Sequence, residues 1–136
     1  MVVCANCIID IILETVFGHV GYVITITVAG PIIEEFAKQI SIKGGFAVEF
    51  TALFNSSEIL LYTYQFGNLH GVKNIVITRL KVALMHLSTT IIQWISNNAE
   101  ALGIENKEKA SVIGNILGVL IHAYWNSSAI AGTLNI

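Results

Sequence analysis

Glu58, His86 and His122 are ionisable residues, each embedded in a long apolar stretch of this 136-residue sequence. Glutamate and histidine are the side chains most often used to move a proton to or from a reacting group. Each of the three falls within about two residues of the centre of an apolar segment, which at 1.5 Å rise per residue gives a shared depth to within roughly 3 Å. A charged residue at mid-bilayer costs roughly 2.5 to 3.5 kcal/mol on insertion scales, so it normally faces a bundle interior and serves a site. One such histidine is read more simply as an interhelical hydrogen bond, worth about 0.6 kcal/mol. Three groups at one depth point instead to a site.

Residues four apart share a helix face, and the spacing extends the set. Phe54, Glu58 and Tyr62 form one such row, His122 and Asn126 another, and His86 carries Thr89 and Thr90 on its own side. Glu34, Glu35 and Lys38 follow Gly30-Pro31. As a purely structural feature they would be a salt-bridged helix start at the positive end of the helix dipole. As a functional one, a paired carboxylate there would carry a polar site into a membrane. Two imidazoles and a carboxylate also make a catalytic zinc shell, for which Glu58, His86 and His122 are the candidates. No His-Glu-x-x-His helix is present, so zinc is the alternative and a metal-free site the main expectation.

Composition says which elements could position these groups. Hydrophobic residues make up 54% of the chain, charged ones 12%, and mean hydropathy is +0.73, against about 25% charged residues in an ordinary soluble domain. A small domain leaves much of its surface exposed, so the expected solvent is lipid. The fold class expected is all-α, a single domain over residues 1–136 forming a multi-pass membrane bundle of about four transmembrane helices. A bilayer core needs roughly 20 helical residues, which places spans at about Ile8 to Ala29, Phe46 to Phe66, Asn74 to Ser96 and Ala110 to Leu134. Pro31 suits the first position of a new helix, so a helix start is expected at Gly30-Pro31. Polar connections are expected at residues 67–71 and 97–109.

Four crossings would put both termini on one side. Lys73, Arg79 and Lys81 would flank one face and Lys38, Lys43, Lys107 and Lys109 the other, so the positive-inside rule selects no orientation. The N-terminus lacks a basic n-region and is expected to stay as a span. Net charge is −2 and the basic residues form no stripe, which argues against nucleic acid as a partner. Cys4 and Cys7 have no second pair at zinc-finger spacing. His19 reads as a satisfied span histidine, His70 as a loop residue, and the Asn-x-Ser sequons at Asn55 and Asn126 lie within spans.

The motifs, in order, resemble those of the PrsW-like branch of the CPBP (CAAX protease and bacteriocin-processing) intramembrane proteases. Residues 29–38, with Glu34-Glu35-Phe36-Ala37-Lys38, are similar to that family's Glu-Glu-x-x-Lys motif. Phe54 to Glu58 with Tyr62 resembles the second, Arg79 to Thr90 with His86 the third, and His122 to Asn126 the last, His-x-x-x-Asn. Ile59 stands where the family usually has Asn, and the chain is short for that family.

The resemblance implies a helical bundle whose polar cavity activates water against a peptide bond, with Glu34, Glu35, Glu58, His86, His122 and Asn126 as the catalytic set. Glu34 with His86 would activate the water, and His122 with the Asn126 amide would stabilise the oxyanion. Glu58 would bind the same water or tune His86, while Lys38 would pair structurally. The substrate would be a membrane protein or peptide within the lipid bilayer, and self-association of the bundle is left open. Two other functions fit the same residues: a non-catalytic membrane module (an immunity or scaffold protein) and a small proton or ion conduit. A conduit would show polar groups at several depths.

Overall fold

A computed structural model of the chain describes residues 8–130 in full and the helical backbone of residues 2–7 and 131. Cys4 and Cys7, and the end of the fourth expected span, lie outside the fully described residues. Every element among the described residues is helical: α1 (Val2–Phe17), α2 (His19–Ile24), a π-helical turn (Thr25–Ala29), α3 (Gly30–Lys43), α4 (Ala47–His70), α5 (Val72–Asn97), a 3-10 turn (Ala99–Leu102) and α6 (Lys107–Ala131). From α2 to α3 the helix is continuous over His19–Lys43, 25 residues long. The helix α4 has 24 residues, α5 has 26 and α6 has 25. Of these, His19–Lys43 and Val72–Asn97 are long and apolar enough to cross a membrane.

The structure corrects the first expected span. Residues 8–29 are not one helix, and the break lies at Gly18, whose φ of 58° and ψ of −140° belong to a region that glycine alone enters cheaply. Past Gly18 the chain turns back, and α1 packs along α2 so closely that a Cβ on Gly21 would come within 1.9 Å of the Leu13 carbonyl oxygen.

The α-helix α3 starts at Gly30 with Pro31 in its first turn, as expected, but it follows the π turn directly, without a break in the helix. A proline inside an α-helix clashes with the carbonyl four residues earlier, here Thr27, and supplies no N–H. The π turn just before it widens the helix and absorbs the misfit. The Gly30 N–H bonds to the Thr25 carbonyl. The carbonyl of Ile26, whose partner five residues on is Pro31, is satisfied from α6 by the Asn126 amide, Nδ2 to O 2.9 Å.

Two connections are tighter than the sequence suggests. Residues 67–70 are helical, and the link between α4 and α5 is Gly71 alone, with φ at 79°. Between α5 and α6 the 3-10 turn ends in Gly103, and Asn106 Oδ1 caps α6 by accepting the Lys109 N–H at 2.9 Å. His19 is exposed beside Tyr22 at the start of α2, and His70 is exposed at the end of α4.

The distribution of polarity is inverted. Pro31, Ile42, Phe54, Met85 and Ala99 are the apolar side chains buried among the described residues, whereas Glu35, Lys38, Gln39, Thr51, His86, Thr89, Gln93, Ser111 and His122 are all buried. Outward-facing positions carry leucine, isoleucine, valine and aromatic residues on every helix. Helix α5 lies between α4 and α6, and α3 packs against all three. Hydrogen bonds join them: Gln39, Asn97 and Ser111 tie α3, α5 and α6, with Asn97 Nδ2 donating to Gln39 Oε1 at 3.0 Å and Ser111 Oγ to Asn97 Oδ1 at 3.0 Å. Thr51 meets Thr90 at 3.1 Å between α4 and α5.

Candidate functional site

Four helices deliver the site. On α3, Glu34, Glu35 and Lys38 occupy the stretch just after the π turn; successive helical residues are rotated by about 100°, so Glu34 and Glu35 cannot face the same way. Helix α4 supplies Phe54, Glu58 and Tyr62 from one face, α5 supplies His86, Thr89 and Gln93, and α6 supplies His122 and Asn126. A cavity of about 710 Å³ reaches from this centre towards the Gly71 end of the bundle, and Glu34, Glu58, His86, His122, Asn126 and Arg79 line it.

Facing the cavity are two carboxylate–imidazole pairs. Glu58 Oε2 lies 3.2 Å from His86 Nε2, and Glu34 Oε2 lies 3.6 Å from His122 Nε2. The two imidazoles stand edge to face at 85°, with centroids 4.8 Å apart. Phe54 closes on His86 from the side, its ring perpendicular at 5.2 Å.

Behind the imidazoles is a fully buried network. Glu35 pairs with Lys38 at 2.6 Å, accepts from Gln93 Nε2 at 2.9 Å, and holds His122 Nδ1 at 3.0 Å. Lys38 Nζ also donates to Thr89 Oγ1 at 2.8 Å and lies 3.0 Å from His86 Nδ1. A carboxylate held by an ammonium and an amide is an acceptor, so His122 presents Nδ1–H to Glu35 and its Nε2 lone pair to the cavity and Glu34. The carboxylate–imidazole arrangement that orients a general base is therefore built at Glu35–His122.

Several expectations change. Glu35 does not line the cavity; it sits in the network behind. Lys38 is no membrane-flanking charge but 1% exposed at the centre, and it touches His86 as well as Glu35. Arg79, also expected at a membrane face, lines the cavity with its guanidinium 3.6 Å over the Tyr62 ring. Asn126 lines the cavity and gives one of its two amide N–H groups to the Ile26 carbonyl. Glu34, expected to act with His86, has its carboxylate beside the His122 imidazole.

The groups nearest to metal geometry are Glu34, His86 and His122, with one ligand atom each inside 4.8 Å of one another; Glu58 is replaced by Glu34 in that set. Tetrahedral zinc at about 2.1 Å holds its ligand atoms roughly 3.4 Å apart. Zinc would require these three to draw together and His86 to release Lys38 or Glu58, since both its ring nitrogens are engaged. The donor set fits a water molecule better than a metal ion.

Sequence reasoning missed Gln93 and Gly118. Gln93 continues the His86–Thr89 face of α5 by one more turn, a spacing visible in the sequence. Gly118 lets α6 approach: a Cβ there would lie 2.8 Å from Gln93 Nε2 and 3.0 Å from Glu35 Oε2. Gly114 and Gly118 form a Gly-x-x-x-Gly pair, the signal of close helix approach in membranes. Compared with known protein families, characterised proteins and solved structures, the chain matches none.

Proposed function

We propose that this chain is a multi-pass membrane protein that hydrolyses a peptide bond at or within the bilayer, in the manner of the PrsW-like CPBP proteases whose motifs it resembles. The inverted polarity supports the membrane setting. Only 33% and 28% of the most apolar windows of His19–Lys43 and Val72–Asn97 are buried, whereas a soluble core helix would be mostly covered. Four helices of 24 to 26 residues cross the roughly 30 Å core, and the 16-residue α1 packs along the first of them.

The observation that carries the chemistry is the pairing of Glu34 with His122, beside His86 with Glu58, on the wall of one cavity. Water between Glu34 and His122 loses a proton to this pair as its oxygen attacks the carbonyl carbon. The His86 Nε2–H, held by Glu58 in the resting protein, is shared with the developing oxyanion as it forms. The proton held by Glu34 and His122 then passes to the leaving amine as the C–N bond breaks. Cleavage of a membrane-anchored reporter peptide in proteoliposomes, lost in Glu34→Gln, is the test. A stably folded Glu34→Gln protein that cleaves at the unmutated rate sinks the assignment, and no cleavage of varied substrates by the unmutated protein favours the non-catalytic module.

One observation favours the conduit. Polar groups occupy several depths after all, from Arg79 through His86 and Gln93 to Asn97, eighteen residues or about 27 Å along α5. Beyond Gln93, however, the chain of partners is amides and a hydroxyl, which donate and accept hydrogen bonds but do not take up protons as Glu and His do. Proton flux into pyranine-loaded proteoliposomes, sensitive to Gln93→Leu, would establish the conduit instead.

A further inference from the structure

We propose that Lys38 is a positioning residue that fixes the proton of His86 on Nε2, so that His86 faces Glu58 as a hydrogen-bond donor while His122 presents a bare nitrogen to the same cavity. The ammonium of a lysine has three N–H donors and no acceptor. Lys38 finds three acceptors: Glu35 Oε1 at 2.6 Å, Thr89 Oγ1 at 2.8 Å and His86 Nδ1 at 3.0 Å. Glu35, fully buried beside it, keeps the lysine in its charged form by direct pairing. Thr89 is free to accept because its own hydroxyl proton goes to the His86 carbonyl at 3.0 Å.

The two ends of His86 agree. Nδ1 meets a group that only donates, and Nε2 meets the Glu58 carboxylate at 3.2 Å, which only accepts. A neutral imidazole carries one N–H, and only the Nε2–H form satisfies both contacts. The other tautomer would set N–H against N–H at Lys38 and a lone pair against an oxygen lone pair at Glu58. An imidazolium would repeat the first conflict. Around His122 the order is reversed: Nδ1 faces the Glu35 carboxylate at 3.0 Å, whereas Nε2 is 3.6 Å from the Glu34 carboxylate, beyond hydrogen-bond distance, so the single N–H of the neutral ring goes to Glu35. One lysine–glutamate pair thus gives the two imidazoles opposite tautomers, one a donor and one a base.

The use made of that donor rests on the hydrolase reading above; the tautomers themselves are properties of the resting protein. Long-range 1H–15N correlation spectra of the full chain in detergent, labelled at histidine and assigned with His86→Gln and His122→Gln, read them directly. At neutral pH His86 is expected as Nε2–H and His122 as Nδ1–H. Lys38→Arg should keep the His86 pattern, and Lys38→Met should mix its two tautomers or reverse them. His86 found as Nδ1–H or as imidazolium in the unmutated protein overturns the proposal, whether or not Lys38→Met folds. So does an unchanged Nε2–H pattern in a folded Lys38→Met. Expected tautomers without any cleavage would count against the hydrolase reading alone.

Discussion

Glu34 and Glu35 are neighbours in sequence with separate tasks. Glu34, with 12% of its side chain exposed, faces the cavity and His122, whereas Glu35, at 0%, anchors Lys38, Gln93 and His122 from behind. Glu34→Gln keeps shape and removes the base, so cleavage should fall by about 10²- to 10⁴-fold with little change in detergent melting. Glu35→Gln leaves the Lys38 charge buried without its partner, and breaking such a pair costs about 3 to 5 kcal/mol. Its first effect should be a lowered melting temperature or failed expression, measured by circular dichroism. Equal melting of the two variants would contradict this division. The sequence named both glutamates because their types and spacing are written there. Which one faces the cavity depends on the rotation of α3 against α5 and α6, which no local pattern encodes.

At the scale of the helix, Pro31 and Asn126 are a matched pair although they are 95 positions apart. Proline leaves the Ile26 carbonyl without its backbone donor, and asparagine supplies one from α6. Asn126→Ala should therefore cost about 1 to 3 kcal/mol, the penalty for a buried acceptor left unpaired. In a Pro31→Ala background, where the backbone regains an N–H, the same change should cost measurably less. A double-mutant cycle on unfolding in mixed detergent tests this, and additive effects would break the link.

Gly118→Ala is expected to destabilise by about 1 to 3 kcal/mol through overpacking, and to lower activity by displacing Gln93 and Glu35, measured as melting and cleavage together. Helices α4, α5 and α6 were readable as apolar stretches, but the helix His19–Lys43 was not, because the Gly18 turn and the π turn left no mark on the apolar pattern. Positive φ at one glycine and a local change of helical pitch come from how α1 and α6 pack, and the apolar pattern runs straight through both.

For the molecule as a whole, the four-crossing reading fixes which turns share a side. In a Cys4→Ser, Cys7→Ser background, single cysteines at the exposed positions Lys43 and Lys107 should react with an impermeant maleimide from one face of the membrane. Cysteines at His19 and Lys73, also exposed, should react from the other. All four labelling from one face would reduce the chain to a peripheral bundle. Composition pointed to lipid because so few residues carry charge. It could not show that Glu34, Glu35, Lys38 and Glu58 are gathered inside, where Lys38 had looked like a flanking charge.

Lipid tails solvate leucine as well as other helices do, so the hydrophobic effect gives these helices little reason to stay together, and contact depends on packing and interhelical hydrogen bonds. In this chain those bonds are the buried network around Glu35, Lys38 and Gln93. The adhesive and the scaffold of the candidate site are one object. Random loss of function in this protein would therefore mostly be loss of assembly, seen as low abundance. A descendant that gave up its chemistry while persisting in the membrane would be expected to keep Lys38 and Glu35 and to let Glu34 drift.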